Sequence, residues 1–196
     1  MYFSNTKMKQ NQGNPKPLRS LLLCFIAALP MACAAGPFSN TELRAVADFN
    51  KIEVGGLVNV SLQKGDKTEV EVSAYGIQLE DIVTDVKDGT LLVTTKGQHS
   101  GESISIRVSY TDLLALKTSG AATITTAGVL EADSINIEIT ENGDASLEID
   151  VNQVSIDMRG NGNLRISGRA VTQSLKAHGG GGSLNNSKLK IAHQAS

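Results

Sequence analysis

Apolar and polar side chains alternate along the second half of the chain, over residues 104–190. The alternation has a period of two, which is typical of β-strands that bury one face. The apolar runs are Ile104-Ile106-Val108-Tyr110, Leu116, Ile124, Ile135-Ile137-Ile139, Leu147-Ile149-Val151, Val154-Ile156-Met158, Leu164-Ile166, Leu175 and Leu184. No stretch of residues 35–196 has helical periodicity, so the pattern predicts an all-β fold.

Glycine-bearing turns separate these runs at nearly regular intervals. In four places an apolar residue follows a turn glycine by four positions: Gly120–Ile124, Gly143–Leu147, Gly160–Leu164 and Gly180–Leu184. The spacings between these glycines are 23, 17 and 20 residues. A repeat of roughly 20 residues with strand patterning predicts stacked parallel β-coils rather than a sandwich of long hairpins. We therefore expect structural turns at Gly120, Gly143, Gly160, Gly162 and Gly180.

The first half of the domain, residues 49–110, has a more hairpin-like pattern. Short alternating strands are separated by glycine turns, at Lys64-Gly65-Asp66 and again at Lys87-Asp88-Gly89, and glycine permits the positive φ that hairpin turns need. The alternation fails around Leu79-Glu80-Asp81, where we expect a helical turn. Residues 35–48 mix Pro, Ser, Asn and Thr without periodicity, which predicts a flexible arm.

Residues 1–34 have the three parts of a secretory signal peptide in the right order. Four basic residues and no acidic one precede the apolar run 21–29, and Ala32-Cys33-Ala34 follows a break at Pro30. Nine apolar residues are too few for a permanent membrane span. We predict cleavage between Ala34 and Ala35, export to the periplasm or outer cell surface, and no transmembrane segment afterwards. A lipid anchor at Cys33 is the second interpretation, because Pro30 occupies the position where a lipobox has leucine.

Removal of residues 1–34 changes the charge and the redox chemistry of the chain. The remainder holds 14 basic and 20 acidic residues, a formal net charge of −6. Nucleic-acid binding requires a basic face, so this class of partner is excluded. Both cysteines, Cys24 and Cys33, leave with the signal peptide. The exported chain then has no disulfide and no thiolate metal site.

From Phe49 onward the chain resembles a known family. The matching residues are Phe49, Ile52, Val54-Gly55, Val58, Val60, Gly65, Val70, Val72, Leu79, Ile82, Val86, Gly89, Leu91 and Val93, then the turns Ser119-Gly120, Asn142-Gly143 and Gly160-Asn161-Gly162. They resemble the auto-transporter adhesin head domain, called the GIN domain, over residues 49–191, with 192–196 as a tail.

This resemblance implies a secreted or cell-envelope bacterial protein with a right-handed, parallel β-helix-like fold and no established activity. The word adhesin is a family label and not a mechanism. Family members usually continue for another turn or two of the repeat after the point reached at residues 184–190. We therefore expect an open β edge there, through which the chain would self-associate.

Two glycine-rich stretches match phosphate-binding motifs only in part. Gly160-Asn161-Gly162 has Arg165 where a dinucleotide fingerprint needs its third glycine, and no helix follows to bind phosphate. Residues 179–182 lack the lysine and serine of a P-loop, and Leu184 stands where a calcium β-roll needs aspartate. Both stretches predict turns, and we expect no cofactor.

The titratable residues offer little catalytic chemistry. His99, His178 and His193 lie far apart without ligand spacing, which predicts surface histidines and no metal site. No Gly-x-Ser-x-Gly motif provides a nucleophile, so we predict no catalytic residues. Four acids would form a ladder for calcium binding or glycan cleavage if stacked on neighbouring coils, although a solvated strand face is the simpler interpretation. These acids are Glu138, Glu148, Asp150 and Asp157.

Taken together, these features favour a non-catalytic β module of the cell envelope, adhesin-like or structural, that contacts a glycan or an envelope protein. Extended strand faces with Asn, Ser and Thr side chains suit such contacts. One alternative is a polysaccharide-acting enzyme, because β-helices host lyases. Another is a periplasmic partner of an envelope stress regulator.

Overall fold

The computed structural model describes residues 39–97 and 103–194 of the 196-residue chain. The predicted signal peptide, Cys33, the cleavage site Ala34–Ala35 and His99 lie outside the described residues. The described strands are β1 Ser39–Ala45, β2 Lys51–Val54, β3 Asn59–Lys64, β4 Glu69–Tyr75, β5 Ile82–Lys87, β6 Thr90–Thr95, β7 Ser103–Tyr110, β8 Ala115–Thr118, β9 Thr123–Glu141, β10 Asp144–Gly160, β11 Asn163–Ala177 and β12 Ser183–Gln194. The all-β class is confirmed. In this part of the chain, no helix has the length and apolarity to cross a bilayer.

Hydrogen bonds join the described strands into one curled sheet, and the long strand β9 is its branch point. Residues 123–126 of β9 pair with β3, whereas residues 136–139 pair with β8. The first arm of the sheet runs outward from β9 as β3, β7, β4 and β1, and the second arm as β8, β2, β6 and β5. Because β9 belongs to both arms, it folds their inner faces toward a shared interior.

The four long strands β9 to β12 stack in parallel. Ala145 of β10 pairs with Ile124 of β9, Leu164 of β11 pairs with Ala145, and Leu184 of β12 pairs with Leu164. Each step along the stack therefore advances the sequence by about 20 residues, within the range of repeats that form coils. The parallel stacking and its repeat agree with the glycine spacing in the sequence.

Aliphatic side chains fill the interior in rows that cross the strands. One row consists of Leu91, Ile52, Leu116, Ile137 and Ile156, each paired with the next and no more than 2% exposed. Full burial of such a side chain stabilises the fold by about 1.5–3 kcal/mol. β-branched residues dominate because they suit a pleated, tightly stacked surface.

The same row ends at Leu175 of β11, which is 49% exposed. The described residues of β12 pair with β11 only as far as Gln173, so no described strand covers Leu175. Among the described strands, β12 pairs with β11 alone and leaves one edge open. Exposed Lys188 and Lys190 lie on this strand, and lysine on an edge strand disfavours further pairing.

The prediction of a flexible arm over residues 35–48 is wrong for Ser39–Ala45, which forms strand β1. This strand pairs antiparallel with β4, and its inward positions opposite Val70 and Val72 are the polar Arg44 and Glu42. Arg44 fixes it by donating hydrogen bonds to the carbonyl oxygens of Ile82 (2.6 Å) and Leu79 (2.7 Å). The sequence showed no alternation because this edge strand carries polar residues where a central strand would carry apolar ones.

The hairpin-like character of the first half is correct only in part. Lys64-Gly65-Asp66 does not close a hairpin, because β7 lies between β3 and β4 and pairs with both. The turn at Asp88-Gly89 does join the antiparallel strands β5 and β6, with φ of 51° and 70°, as a type I′ turn requires. The predicted helical turn is present as a 3-10 turn at Leu79–Asp81. The predicted tail begins inside a strand, since β12 extends to Gln194.

Candidate binding surface

The glycine turns lie on top of one another at one corner of the stack. Backbone N–H groups donate across successive turns: Ala121 to the Gly56 oxygen (3.0 Å), Asn142 to the Gly120 oxygen (3.1 Å) and Ser183 to the Gly162 oxygen (3.2 Å). A Cβ atom on Gly120 would lie 3.0 Å from the Gly56 nitrogen. A Cβ atom on Gly143 would collide with the Thr118 side chain. On the three remaining predicted turn glycines it would collide with a backbone oxygen of the preceding coil, and these are Gly160, Gly162 and Gly180. Close backbone approach explains the glycines, and it sets every following strand in the same register.

This common register lines up small polar side chains along the outer face of the first arm and of strands β9 to β12, in what we call the polar row. The row crosses eight strands, and each member pairs with or hydrogen-bonds to the next. Its members are Thr41, Ser73, Ser105, Asn59, Thr123, Asp144, Asn163 and Ser183. Seven of the eight carry a hydroxyl or an amide, and all are exposed or half-buried. At a strand spacing of about 4.8 Å the row is about 34 Å long.

Side-chain hydrogen bonds hold both ends of the polar row. The hydroxyls of Thr41 and Ser73 lie 3.0 Å apart at one end. At the other end, Asn163 Nδ2 donates to Asp144 Oδ1 (2.9 Å), and the Ser183 hydroxyl donates to Asn163 Oδ1 (2.7 Å). Side chains oriented in this way lose less conformational entropy when a ligand binds them.

A tyrosine extends the same outer face beyond the polar row. Tyr75 follows Ser73 by two positions in β4, so both side chains project from the same face, and Tyr75 is 46% exposed. An exposed tyrosine offers a flat apolar ring and a hydroxyl to a partner. The polar row and Tyr75 together form what we call the polar face.

Sequence reasoning did not find the polar row, although a signal for it exists. In each of the last four strands, a polar residue directly precedes the first inward apolar one: Thr123-Ile124, Asp144-Ala145, Asn163-Leu164 and Ser183-Leu184. Three of these polar residues follow a predicted turn glycine by three positions. Aligned polar positions in the sequence, and not only aligned apolar ones, thus mark the last four members of the row.

The outer face of the second arm carries charges instead. Glu53, Lys117, Glu138, Asp157 and Lys176 occupy one register position on five neighbouring strands. Lys117 Nζ lies 2.9 Å from Glu53 Oε1, and this hydrogen bond raises the pKa of the Lys117 ammonium. The row contains one ion pair, Glu53–Lys117, and two like charges side by side, Glu138 and Asp157. An ion pair on such an exposed surface contributes little to stability.

The structure separates the four acids of the predicted ladder. Only Glu138 and Asp157 are neighbours in register. Asp150 pairs with Glu131 and Arg169 in a different row, and its carboxylate binds the Arg169 guanidinium. Arg159 donates to both carboxylate oxygens of Asp157, at 3.1 and 2.6 Å, and these bonds hold the pKa of that carboxyl below its usual range. An acid of lowered pKa is a poor proton donor.

The described histidines add no metal centre. His178 Nε2 lies 3.3 Å from Asp157 Oδ1 on an exposed turn. Within residues 39–97 and 103–194, no three His, Cys, Asp or Glu side chains come close enough to share a metal ion. Residues 179–182 and Gly160-Asn161-Gly162 belong to the stacked turns, where the Asn161 side-chain oxygen accepts from Gly181 N (2.8 Å).

A family model described as "putative auto-transporter adhesin, head GIN domain" matches residues 48–196. The chain belongs to this family. The resemblance inferred from Phe49 onward is thereby confirmed, and its match begins one residue earlier and continues to the last residue of the chain.

Solved structures share the fold of this GIN-domain chain. A putative adhesin from Bacteroides fragilis superposes with a TM-score of 0.69 at 19% identity, over 80% of this chain and 74% of that one. A putative lipid binding protein from Parabacteroides distasonis gives 0.57 at 17% identity, over 78% and 75%. A putative adhesin from Parabacteroides merdae gives 0.57 at 18% identity, over 79% and 75%. These identities show a common fold alone, and comparison with curated proteins found no match.

Proposed function

We propose that this GIN-domain chain is a non-catalytic, adhesin-like module of the cell envelope that binds a glycan or an envelope protein through the polar face. The single observation that carries the proposal is the polar row, in which eight strands present small hydroxyl, amide and carboxylate side chains in one line. Membership of an adhesin family supports the same role.

The chemistry of the polar face suits recognition. Serine and asparagine supply adaptable hydrogen bonds, and tyrosine supplies rigid contact area at low entropic cost, which is why binding loops of antibodies are rich in these residues. Glycans present many hydroxyls that both donate and accept. A row of about 34 Å at the strand spacing of about 4.8 Å offers such a ligand repeated partners.

The arrangement favours binding over glycan cleavage. Hydrolysis by two carboxyls requires one with a raised pKa to act as the acid. Asp157 is held in its charged form by Arg159, and Asp150 is paired with Arg169. These acids therefore form exposed ion pairs with arginines rather than a reacting pair.

We also propose that residues 1–34 are a signal peptide cleaved between Ala34 and Ala35, so that the domain resides in the periplasm or on the cell surface. The family's adhesin description and the order of basic, apolar and small residues support this. Intact-mass measurement of the exported protein tests it, and a mass that includes Cys33 or an acyl group would contradict it.

The parallel strands β9 to β12 are, in this proposal, successive coils of a right-handed β-helix. Their support is the nearly constant advance of about 20 residues per paired strand and the strong preference for right-handed parallel crossovers. An experimental structure with a left-handed winding would contradict it.

Binding through the polar face is tested with two lysine substitutions of exposed asparagines. Asn59 lies in the polar row, whereas Asn136 projects from the second arm. We expect Asn59→Lys to reduce binding of the full chain to glycan arrays and isolated envelopes at least about tenfold, the ~1.4 kcal/mol of a modest interface contact. Asn136→Lys serves as the matched control and should bind like the parent. Equal binding by both variants, or no binding by the parent chain, would contradict the proposal.

A further inference from the structure

A concave pocket of about 240 Å³ opens where strand pairing is interrupted twice. The register between β9 and β10 shifts between Ser146 and Glu148, and that between β11 and β12 shifts between Arg165 and Ser167. At each shift the outer strand, β9 or β12, contains extra residues. Bulges bend a strand away from its neighbour and are common beside functional sites. Here two bulges on opposite sides of β10 and β11 leave a hollow between them.

The pocket has a floor of backbone and walls of polar side chains. The backbone of Leu147 and Ile166 forms the floor, because their side chains are no more than 2% exposed and belong to the core. Ser146, Ser167 and Ser187 line the walls. Backbone groups and a few convergent polar side chains fix the orientation of a ligand in small-molecule sites.

Two cations stand at this pocket, Arg165 and Lys188. Four of the five arginines in residues 39–97 and 103–194 form an ion pair with a carboxylate, and these are Arg44, Arg107, Arg159 and Arg169. In the same part of the chain, Arg165 has neither an ion pair nor a side-chain hydrogen bond, and the same is true of Lys188. The guanidinium at the pocket is thus available to a ligand anion.

One acid, Glu148, also lines the pocket. Its backbone N–H donates to the Thr126 hydroxyl (3.0 Å), which satisfies the amide freed by the bulge. Ser167 stands between Glu148 and Lys188 in register, so the two charged groups lie two strands apart and form no ion pair. The lining therefore carries two positive charges and one negative charge, and it offers both donors and a strong acceptor.

We propose that this pocket binds the carboxylate-bearing sugar of an acidic glycan, such as a uronic acid residue. The planar guanidinium of Arg165 matches a carboxylate in a bidentate pair. The serine hydroxyls and Glu148 hydrogen-bond to the sugar hydroxyls. A volume of about 240 Å³ is below the roughly 300–1,000 Å³ of sites for drug-sized ligands, and it suits a single ring.

The pocket is continuous with the polar face, and the inference rests on the proposed function. Ser146 and Arg165 follow Asp144 and Asn163 of the polar row by two positions in β10 and β11. Their side chains therefore project from the same surface. A glycan that places one acidic ring in the pocket extends its next rings along the row.

The test is a calorimetric or NMR titration of the full chain with methyl β-glucuronide and with the neutral methyl β-glucoside. We expect the glucuronide to bind at least about tenfold more tightly, since charge-assisted hydrogen bonds are stronger than neutral ones. Arg165→Gln should remove this preference and Arg165→Lys should restore part of it. Arg169→Gln, on the same strand and also exposed, is the matched control and should leave the preference unchanged. Thermal unfolding confirms that the variants fold.

Equal binding of the two glycosides, or an Arg165→Gln variant that keeps the preference, would overturn the assignment. Tighter binding of glucose 6-sulfate than of the glucuronide would overturn it in favour of a sulfate ester. If neither glycoside binds but Asn59-dependent binding to envelopes persists, the pocket assignment fails and the proposed function stands. If the parent chain binds neither the glycosides nor envelopes, the pocket assignment and the proposed function are both refuted.

Discussion

Substitution of Gly162 by alanine probes the stacked turns directly. Gly162 is buried, and its φ lies outside the left-handed region, so alanine suits its backbone conformation. Its Cβ, however, would lie 2.7 Å from Ile139 Cγ2 and would collide with the carbonyl oxygen of Gly143. The substitution therefore tests the close approach of neighbouring turns without adding backbone strain at residue 162.

The expected cost follows from these contacts. Insertion of a methyl group into a packed site typically costs about 1–3 kcal/mol. The turn must also move, which weakens the bonds from Gly162 N to the Glu141 oxygen (3.0 Å) and from Ser183 N to the Gly162 oxygen (3.2 Å), each contributing about 1 kcal/mol. Alanine also reduces the conformational entropy of the unfolded chain, which stabilises the folded state by about 0.4–1 kcal/mol. We expect a net loss of about 2–4 kcal/mol in the free energy of unfolding.

Urea unfolding followed by circular dichroism measures this loss. Gly181→Ala is the matched control in the neighbouring turn, because its Cβ would meet only the Asn161 side chain, at 3.2 Å from Oδ1. The exposed Asn161 side chain needs to shift only slightly, so this variant should lose no more than the hydrogen bond from Gly181 N to Asn161 Oδ1, about 1 kcal/mol. If Gly162→Ala costs no more than Gly181→Ala, the turns are not held by backbone contact, and the explanation of the glycine repeat fails.

Two further predictions concern the core and the response to alkali. Ile137→Ala should lower the free energy of unfolding by about 2–5 kcal/mol, because Ile137 is 2% exposed. Leu175→Ala, at the exposed end of the same row, should lower it by about 1 kcal/mol or less. Equal losses in urea unfolding would contradict the conclusion that the core ends before Leu175. Burial, and secondarily the charge of Glu131, raises the pKa of Tyr110 to about 12. The unfolded tyrosine ionises near pH 10, so stability should fall by about 2–3 kcal/mol between pH 10 and 12, and Tyr110→Phe should fall less over that range.

The sequence was informative wherever burial imposes a pattern. The inward positions of β9 and β10, such as Ile137 and Ile156, alternate with polar ones, and this alone predicted strands and a shared interior. The glycine spacing predicted the repeat, because only glycine permits stacked turns to approach so closely. Among the apolar positions predicted to be buried, Leu175 alone is exposed. It continues a row of core side chains, but no described part of β12 pairs beside it.

Features that depend on pairing partners left no local signal. Strand β1 was missed because its stability comes from β4 and from Arg44, whose acceptors Leu79 and Ile82 lie far along the chain. The two bulges, and hence the pocket, arise from length differences between neighbouring strands. Such differences appear only once the register is known.

The in-register stack also determines how this domain can change in length. Loss of a single position within β10 would turn every following outward side chain inward until the next turn. Loss of a whole unit of about 20 residues would instead bring equivalent positions back into contact. Insertions and deletions that the fold tolerates should therefore be whole multiples of this repeat of about 20 residues. A molecule built in this way grows or shrinks by steps of about 4.8 Å, and its contact surface lengthens or shortens with it.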